Sequence, residues 1–255
     1  MKRLKILLAV AVLTLIGVFS QVAVTSAAPN FEVEAQAASG AIFMGGTFHC
    51  SGTVIGNSTT DALFLTARHC IVDESTNNIN KDLWVTFAPN EAGPFYKAAP
   101  VLISQTEDLA VLVLENGQDL PAVDITTEEA VENGDPIFNV SYPLDSGKIT
   151  FHGEFIAPVF AHFPESLLKG YPQWKHTMPI NMTIAHGSSG SGVFDKKSQS
   201  LIGVVVGTAS EGTLNIAEPE SLVVYLLNHS KENSPEAWTK AYPPREASQE
   251  WWFGQ

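Results

Sequence analysis

Between residues 41 and 228 no single pattern is sustained for long. Short runs rich in Val, Ile, Leu, Phe and Thr are cut every few residues by Gly, Pro, Asn or Asp: Phe48–Ile55, Ala62–Thr66, Leu83–Phe87, Ala110–Leu114, Pro136–Val140, Lys148–Ile156, Gly192–Phe194 and Leu201–Val206. Apolar runs of this kind bounded by turn residues read as strands. A long series of them implies antiparallel sheets stacked or closed on themselves, as a sandwich or a barrel. The one good helical pattern is Glu218–Asn228, where Pro219 suits a first turn and Leu222, Val223, Leu226 and Leu227 form an apolar face. The expected class is all-β.

The two ends differ from this body. Met1-Lys2-Arg3-Leu4-Lys5 leads into an apolar stretch from Ile6 to about Phe19, and small residues follow at Thr25-Ser26-Ala27-Ala28. That order is the layout of a secretory signal peptide, so residues 1–28 are expected to be a leader. Cleavage after Ala27, Ala28 or, further on, Ala37 fits equally. The competing reading is an uncleaved anchor, since mild apolarity continues through Val22-Ala23-Val24 towards the roughly 20 residues that span a bilayer. Once cleaved, the chain is expected to be secreted or periplasmic, with no stable membrane association. After Asn228 the composition turns to Ser, Glu, Pro and Lys and ends in Trp251-Trp252-Phe253. Residues 229–255 read as a tail, packed on the parent domain or docking a partner.

Charge and cysteine content narrow the function classes. The chain carries 27 acidic and 14 basic residues for a net charge of −13. Contacts to phosphate need a basic surface, so nucleic acid is excluded as a partner. Cys50 and Cys70 are the two cysteines. In an exported chain their default state is a disulfide, contributing roughly 3 kcal/mol in the chain-entropy estimate. Two thiols without an adjacent His pair do not suit a metal site, and no cofactor is expected.

Three segments carry chemistry-bearing residues in an informative order. Leu65-Thr66-Ala67-Arg68-His69-Cys70 is a strand-like run ending in His beside Cys; in Glu107-Asp108-Leu109-Ala110-Val111-Leu112 an Asp opens an apolar strand; His186-Gly187-Ser188-Ser189-Gly190-Ser191-Gly192 is a Ser and Gly cluster leading into another strand. Acyl transfer from an amide needs a nucleophile, a base, a group that holds the base, and donors for the oxyanion. Ser189, His69 and Asp108 would supply the first three, and the backbone N–H groups of Gly187 and Ser189 the last.

Together these segments resemble the chymotrypsin-like (trypsin-like) serine protease family. Thr66-Ala67-Arg68-His69-Cys70 is similar to its histidine motif, Asp108-Leu109-Ala110-Val111-Leu112 to its aspartate motif and Gly187-Ser188-Ser189-Gly190-Ser191-Gly192 to its serine motif. Cys50-Ser51-Gly52-Thr53-Val54-Ile55 matches the segment whose cysteine is bridged to the one after the catalytic His. The resemblance implies two antiparallel six-stranded β-barrels, at about 38–130 and 131–228, with a C-terminal helix, a site in the cleft between the barrels and a protein or peptide substrate. Only Ser189 has Gly two places before it and Gly immediately after, as the family's motif demands.

Departures from the pattern carry information too. Ser188 stands where many members have an Asp that pairs with a newly freed N-terminus, so the usual zymogen switch is not expected, and the chain looks like the bacterial-type branch, which also shows the Tyr142-Pro143 style of turn. By the family's layout Thr183, Ile184, Val206 and Thr208 contact substrate. No Asp falls at the pocket base and Val205 stands where an acid-specific pocket has His, which leaves a small or apolar P1 side chain. Val206 replaces a Ser that often holds the catalytic Asp, so Asp108 is expected to rely on backbone donors near His69. The rival reading is a catalytically idle cleft that binds peptides. A working protease is expected to keep its activity on small substrates when 229–255 is deleted.

Overall fold

The computed structural model describes residues 30–88, 93–125, 131–156, 177–210 and 214–245. The leader expected at 1–28 and the terminal Trp251-Trp252-Phe253 lie outside them. Every run picked out above is a strand. The first set comprises β1 (Ser39–Met44), β2 (Thr47–Asn57), β3 (Ala62–Thr66), the short pair β4 (Val72–Asp73) and β5 (Asn78–Ile79), then β6 (Leu83–Thr86), β7 (Phe95–Ile103) and β8 (Ala110–Leu114). The second comprises β9 (Pro136–Ser141), β10 (Ile149–Phe155), β11 (Met178–Asn181), β12 (Gly192–Asp195), β13 (Ser200–Ser210) and β14 (Leu214–Pro219). They close into two six-stranded antiparallel barrels, ordered β1-β2-β3-β8-β7-β6 and β10-β11-β14-β13-β12-β9. Closure removes the exposed sheet edges that so many short strands would otherwise present.

Register decides what the barrels hold up. In the β3·β8 pair Leu65 faces Val111 and Thr66 faces Ala110. The chain just after β3 therefore lies beside the chain just before β8, which brings His69 and Asp108 together although they are far apart in sequence. The interior is filled by alternating residues, with Leu83 and Val85 buried and Trp84 between them facing out. Phe64, Phe138 and Phe194 are the bulkiest fully buried side chains, and one apolar cluster runs through both barrels.

The structure departs from the sequence reading at the helices. An unforeseen helix α1 (Phe31–Ala38) precedes β1, with Asn30 accepting from the Glu32 N–H at its start. Phe31 sits edge-on to Phe138 and Phe194 at 5.8 and 6.0 Å, so α1 is bound to the second barrel before the first begins. The expected helix is α2 (Glu220–Asn228); Pro219 is its cap rather than part of its first turn, and Glu218 belongs to β14. Residues 229–245 are not a bare tail. Ser234 caps a further helix, α3 (Pro235–Ala241), whose Trp238 is 4% exposed. Among the described residues no helix is long and apolar enough to cross a membrane.

Candidate active site

His69 lies in a single helical turn, Arg68–Cys70, at the end of β3. Cys70 is bonded to Cys50 of β2, with the Cα atoms 5.9 Å apart, which ties the turn to the barrel wall. The Cys50, Cys70 and His69 grouping is thus a disulfide with a histidine beside it. Asp108 is fully buried, and both its carboxylate oxygens are engaged: Oδ2 lies 2.7 Å from His69 Nδ1, and Oδ1 accepts from the His69 backbone N–H at 3.0 Å. A carboxylate only accepts, so the proton of this pair sits on Nδ1 and Nε2 is left with its lone pair. The backbone donor is the one expected for an Asp with Val at 206. Burial opposes ionisation of Asp108, but the His69 ring, its hydrogen bonds and the nearby Arg68 outweigh it and hold the carboxyl down at about 2. For His69, burial lowers the pKa, while the charge and hydrogen bond of Asp108 raise it, and the net result is above the usual 6.5.

The serine loop belongs to the other barrel. Ser188 N–H donates to Ala185 C=O at 2.9 Å, and Gly187, third in that turn, has φ of +90°, a conformation that favours glycine. The His186 carbonyl is turned outward to accept from Leu144 N–H at 2.7 Å. Because a trans peptide points its C=O and N–H in opposite directions, Gly187 N–H faces the other way. Among the described residues neither Gly187 N–H nor Ser189 N–H donates to a protein acceptor.

Gly190 has φ of +83°, and a Cβ there would meet Thr66 Oγ1 at 2.1 Å and Ala67 N at 2.9 Å. The loop therefore abuts the segment that leads directly to His69. Two bonds from β2 fix it across the barrel boundary: Ser51 N–H to Ser189 C=O at 2.9 Å and Ser51 Oγ to Gly187 C=O at 2.7 Å.

The three serines of the cluster have different surroundings. Ser188 and Ser191 are fully buried with hydroxyls engaged, the first with Ser141 Oγ at 3.2 Å and the second with Asn139 Nδ2 at 2.7 Å. Ser189 alone is part-exposed. The residues expected to contact substrate lie on two segments, Thr183 and Ile184 before the serine loop and Val206 and Thr208 on β13. Thr183 lines an open cavity of about 490 Å³ with His152, Glu154, Ile180, Met182 and Asn215. Ile184, Val206 and Thr208 do not line it; Val206 is buried in β13, and Thr208 is exposed further along the same strand.

Sequence reasoning missed Glu218 and the use of Arg68. Glu218, on β14, is fully buried, and its Oε1 accepts the Asp108 backbone N–H at 3.3 Å. Arg68 is 6% exposed, and its Nη1 donates to the carbonyls of Ser104 and Glu107 in the turn that carries Asp108, at 3.1 and 2.9 Å. A charged side chain immediately before the histidine was the visible signal for Arg68. For Glu218 there was none, because it read as the start of a helix.

The paired barrels are the chymotrypsin-like fold. The chain belongs to the trypsin-like peptidase domain family, which matches residues 50–204. It is similar in structure to the serine endoprotease from Yersinia pestis, with 18% identity and a TM-score of 0.61 over 79% of this chain; it spans 65% of that protein's length. It is also similar to an inactive serine-to-alanine form of Rv3671c from M. tuberculosis H37Rv, with 16% identity and a TM-score of 0.63 over 81% of this chain and 93% of that one. At these identities the likeness is one of fold. No curated protein matches the chain.

Proposed function

We propose that this chain is an exported serine endopeptidase that hydrolyses peptide bonds through an acyl-enzyme. The observation that supports it most is the pairing of His69 Nδ1 with buried Asp108 beside a loop whose one part-exposed serine is Ser189. Ser189 Oγ attacks the carbonyl carbon and passes its proton to His69 Nε2, while the charge gathering on the carbonyl oxygen is met by the N–H groups of Gly187 and Ser189. As the C–N bond breaks, His69 returns the proton to the departing amine. Water then repeats the sequence on the ester, releasing the acid and restoring Ser189. Asp108 stays ionised throughout and stabilises the imidazolium. Export rests on the leader pattern of residues 1–28. A small or apolar P1 residue is favoured by Thr183, Ile184 and Val205, none of which carries charge.

A fluorophosphonate probe, which esterifies only an activated serine, tests the reading. Wild type should label at one site, Ser189→Ala should abolish labelling and Ser191→Ala should retain it. Labelling lost with Ser191→Ala alone would overturn the assignment, and folded wild type that does not label would favour an idle cleft.

A further inference from the structure

We propose that residues 232–245 form a clamp that positions His69 and Asp108, with Trp238 as its central positioning residue; this rests on the serine-peptidase reading. The segment bonds to both loops that carry the pair. On the histidine side, Arg245 N–H donates to Thr76 C=O at 2.9 Å, and its guanidinium donates to the carbonyls of Ser75 and Glu74 at 2.9 and 3.0 Å. Trp238 Nε1 reaches Asn77 C=O at 3.3 Å, and Asn77 Nδ2 returns a bond to Pro243 C=O at 3.2 Å. On the aspartate side, Ile103 N–H donates to Asn233 C=O at 2.7 Å, Gln105 Nε2 to Glu232 C=O at 2.6 Å, and Tyr242 Oη to Gln105 C=O at 2.9 Å.

Between these two sets of bonds lies Arg68. Its guanidinium carbon sits 5.1 Å from the centre of the Trp238 ring, and Tyr242 stacks on that ring at 4.4 Å. The Arg68 side chain bonds forward to the turn of Asp108 through Ser104 and Glu107, and pairs with Glu74 of the histidine loop at 3.2 Å. Its backbone N–H donates to Asp108 C=O at 3.2 Å. One side chain thus couples the two loops, next to His69 in sequence, and Trp238 keeps water from it. Excluding water strengthens the bonds of a charged donor and favours a single arrangement of the loops.

Loop placement matters because His69 must sit within a fraction of an ångström of where the proton moves, and a shift of about 1 Å costs about 100-fold in rate. The clamp reverses the expectation that activity on small substrates survives deletion of 229–255. Glu232 through Arg245 should be required for the chemistry itself, not for binding alone.

The test uses the full chain in four forms: wild type, Trp238→Ala, Trp238→Phe, and Tyr242→Phe combined with Arg245→Ala. Two readouts are taken on each: the second-order rate of fluorophosphonate labelling, and the titration of the His69 ring by NMR. Trp238→Ala should slow labelling by roughly 10- to 100-fold and lower the His69 titration midpoint, as its contact with Asp108 loosens. Trp238→Phe should recover most of both, since a ring again covers Arg68. The double variant lies at exposed positions and cannot empty the core, so it keeps the proposal testable if Trp238→Ala does not fold; it should shift both readouts in the same direction. Folded variants with wild-type labelling and wild-type His69 titration would overturn the clamp. If wild type does not label, the peptidase reading fails, and the clamp stands or falls on the His69 titration.

Discussion

Glu218 shows how much a single buried carboxyl can say about a site. It sits behind Asp108 with no exposure, accepts one N–H through Oε1, and has no hydrogen-bond partner for Oε2 among the described residues. Burial pushes its pKa well above the usual 4.5; the charge of Glu107 adds to this and that of Asp108 less so, while the Asp108 N–H and Arg68 act against it. A second carboxylate there would repel the one that orients His69. Holding its proton above the usual carboxylate range avoids that, at a cost in stability: below pH 4.5 the folded and unfolded chains both hold the proton, and between 4.5 and the raised folded value the unfolded chain releases it while the folded one does not. Stability therefore falls as the pH rises from 4.5 towards the raised folded value, by about 1.4 kcal/mol for each unit between the two pKa values. Glu218→Gln keeps the acceptor and removes the proton, so it should gain on wild type between pH 5 and pH 8 in urea denaturation. An equal gap at both pH values would show that the carboxyl ionises in the folded protein.

At the scale of elements, the N-terminal helix is one piece the sequence reading lacked. Phe31 is 8% exposed against two aromatic rings of the second barrel, and Ala35 and Ala38 are fully buried. A leader cut after Ala37 would strip this helix from the core, whereas cutting after Ala27 or Ala28 leaves it whole. Phe31→Ala should destabilise the fold by about 3 kcal/mol, the lower end of what removing a buried Phe costs. A loss below about 1 kcal/mol in equilibrium unfolding would mean that α1 is peripheral. The cue was present as Asn30 ahead of Glu32 and Glu34, as was Ser234-Pro235-Glu236 at the start of α3, but each helix is too short to show a periodic face. β7 was missed for a different reason: Pro100 breaks its alternation, and the structure absorbs it with a shift in register between Pro100 and Leu102. The strands beside His69, Asp108 and Ser189 were legible because their apolar runs are continuous and mostly buried. Glu218, Arg68 and Trp238 were not, since their roles come from contacts between distant parts of the chain.

For the whole molecule, the question is how two separately closed barrels hold one site. Among the described residues no strand belongs to both barrels, so beside the apolar cluster they share the site depends on bonds across the boundary, several of them at Ser51. Its N–H holds Ser189 C=O, its hydroxyl donates to Gly187 C=O and accepts from Tyr142 N–H at 3.0 Å, and its own carbonyl accepts from Thr66 Oγ1 at 2.9 Å, on the approach to His69. The hydroxyl is fully buried. Ser51→Ala would leave a buried acceptor at Gly187 and a buried donor at Tyr142 without this partner, at about 1–3 kcal/mol for each group left unsatisfied. With the Gly187 carbonyl freed, the neighbouring His186–Gly187 peptide, which carries the Gly187 N–H, would also be held less firmly towards the oxyanion. We therefore expect Ser51→Ala to lower the thermal midpoint and, in protein that is still folded, to slow fluorophosphonate labelling by roughly 10-fold. A lower midpoint with an unchanged labelling rate would mean that the bond joins the barrels without shaping the site, and that the turn at Gly187 is held by its own conformation and by Leu144.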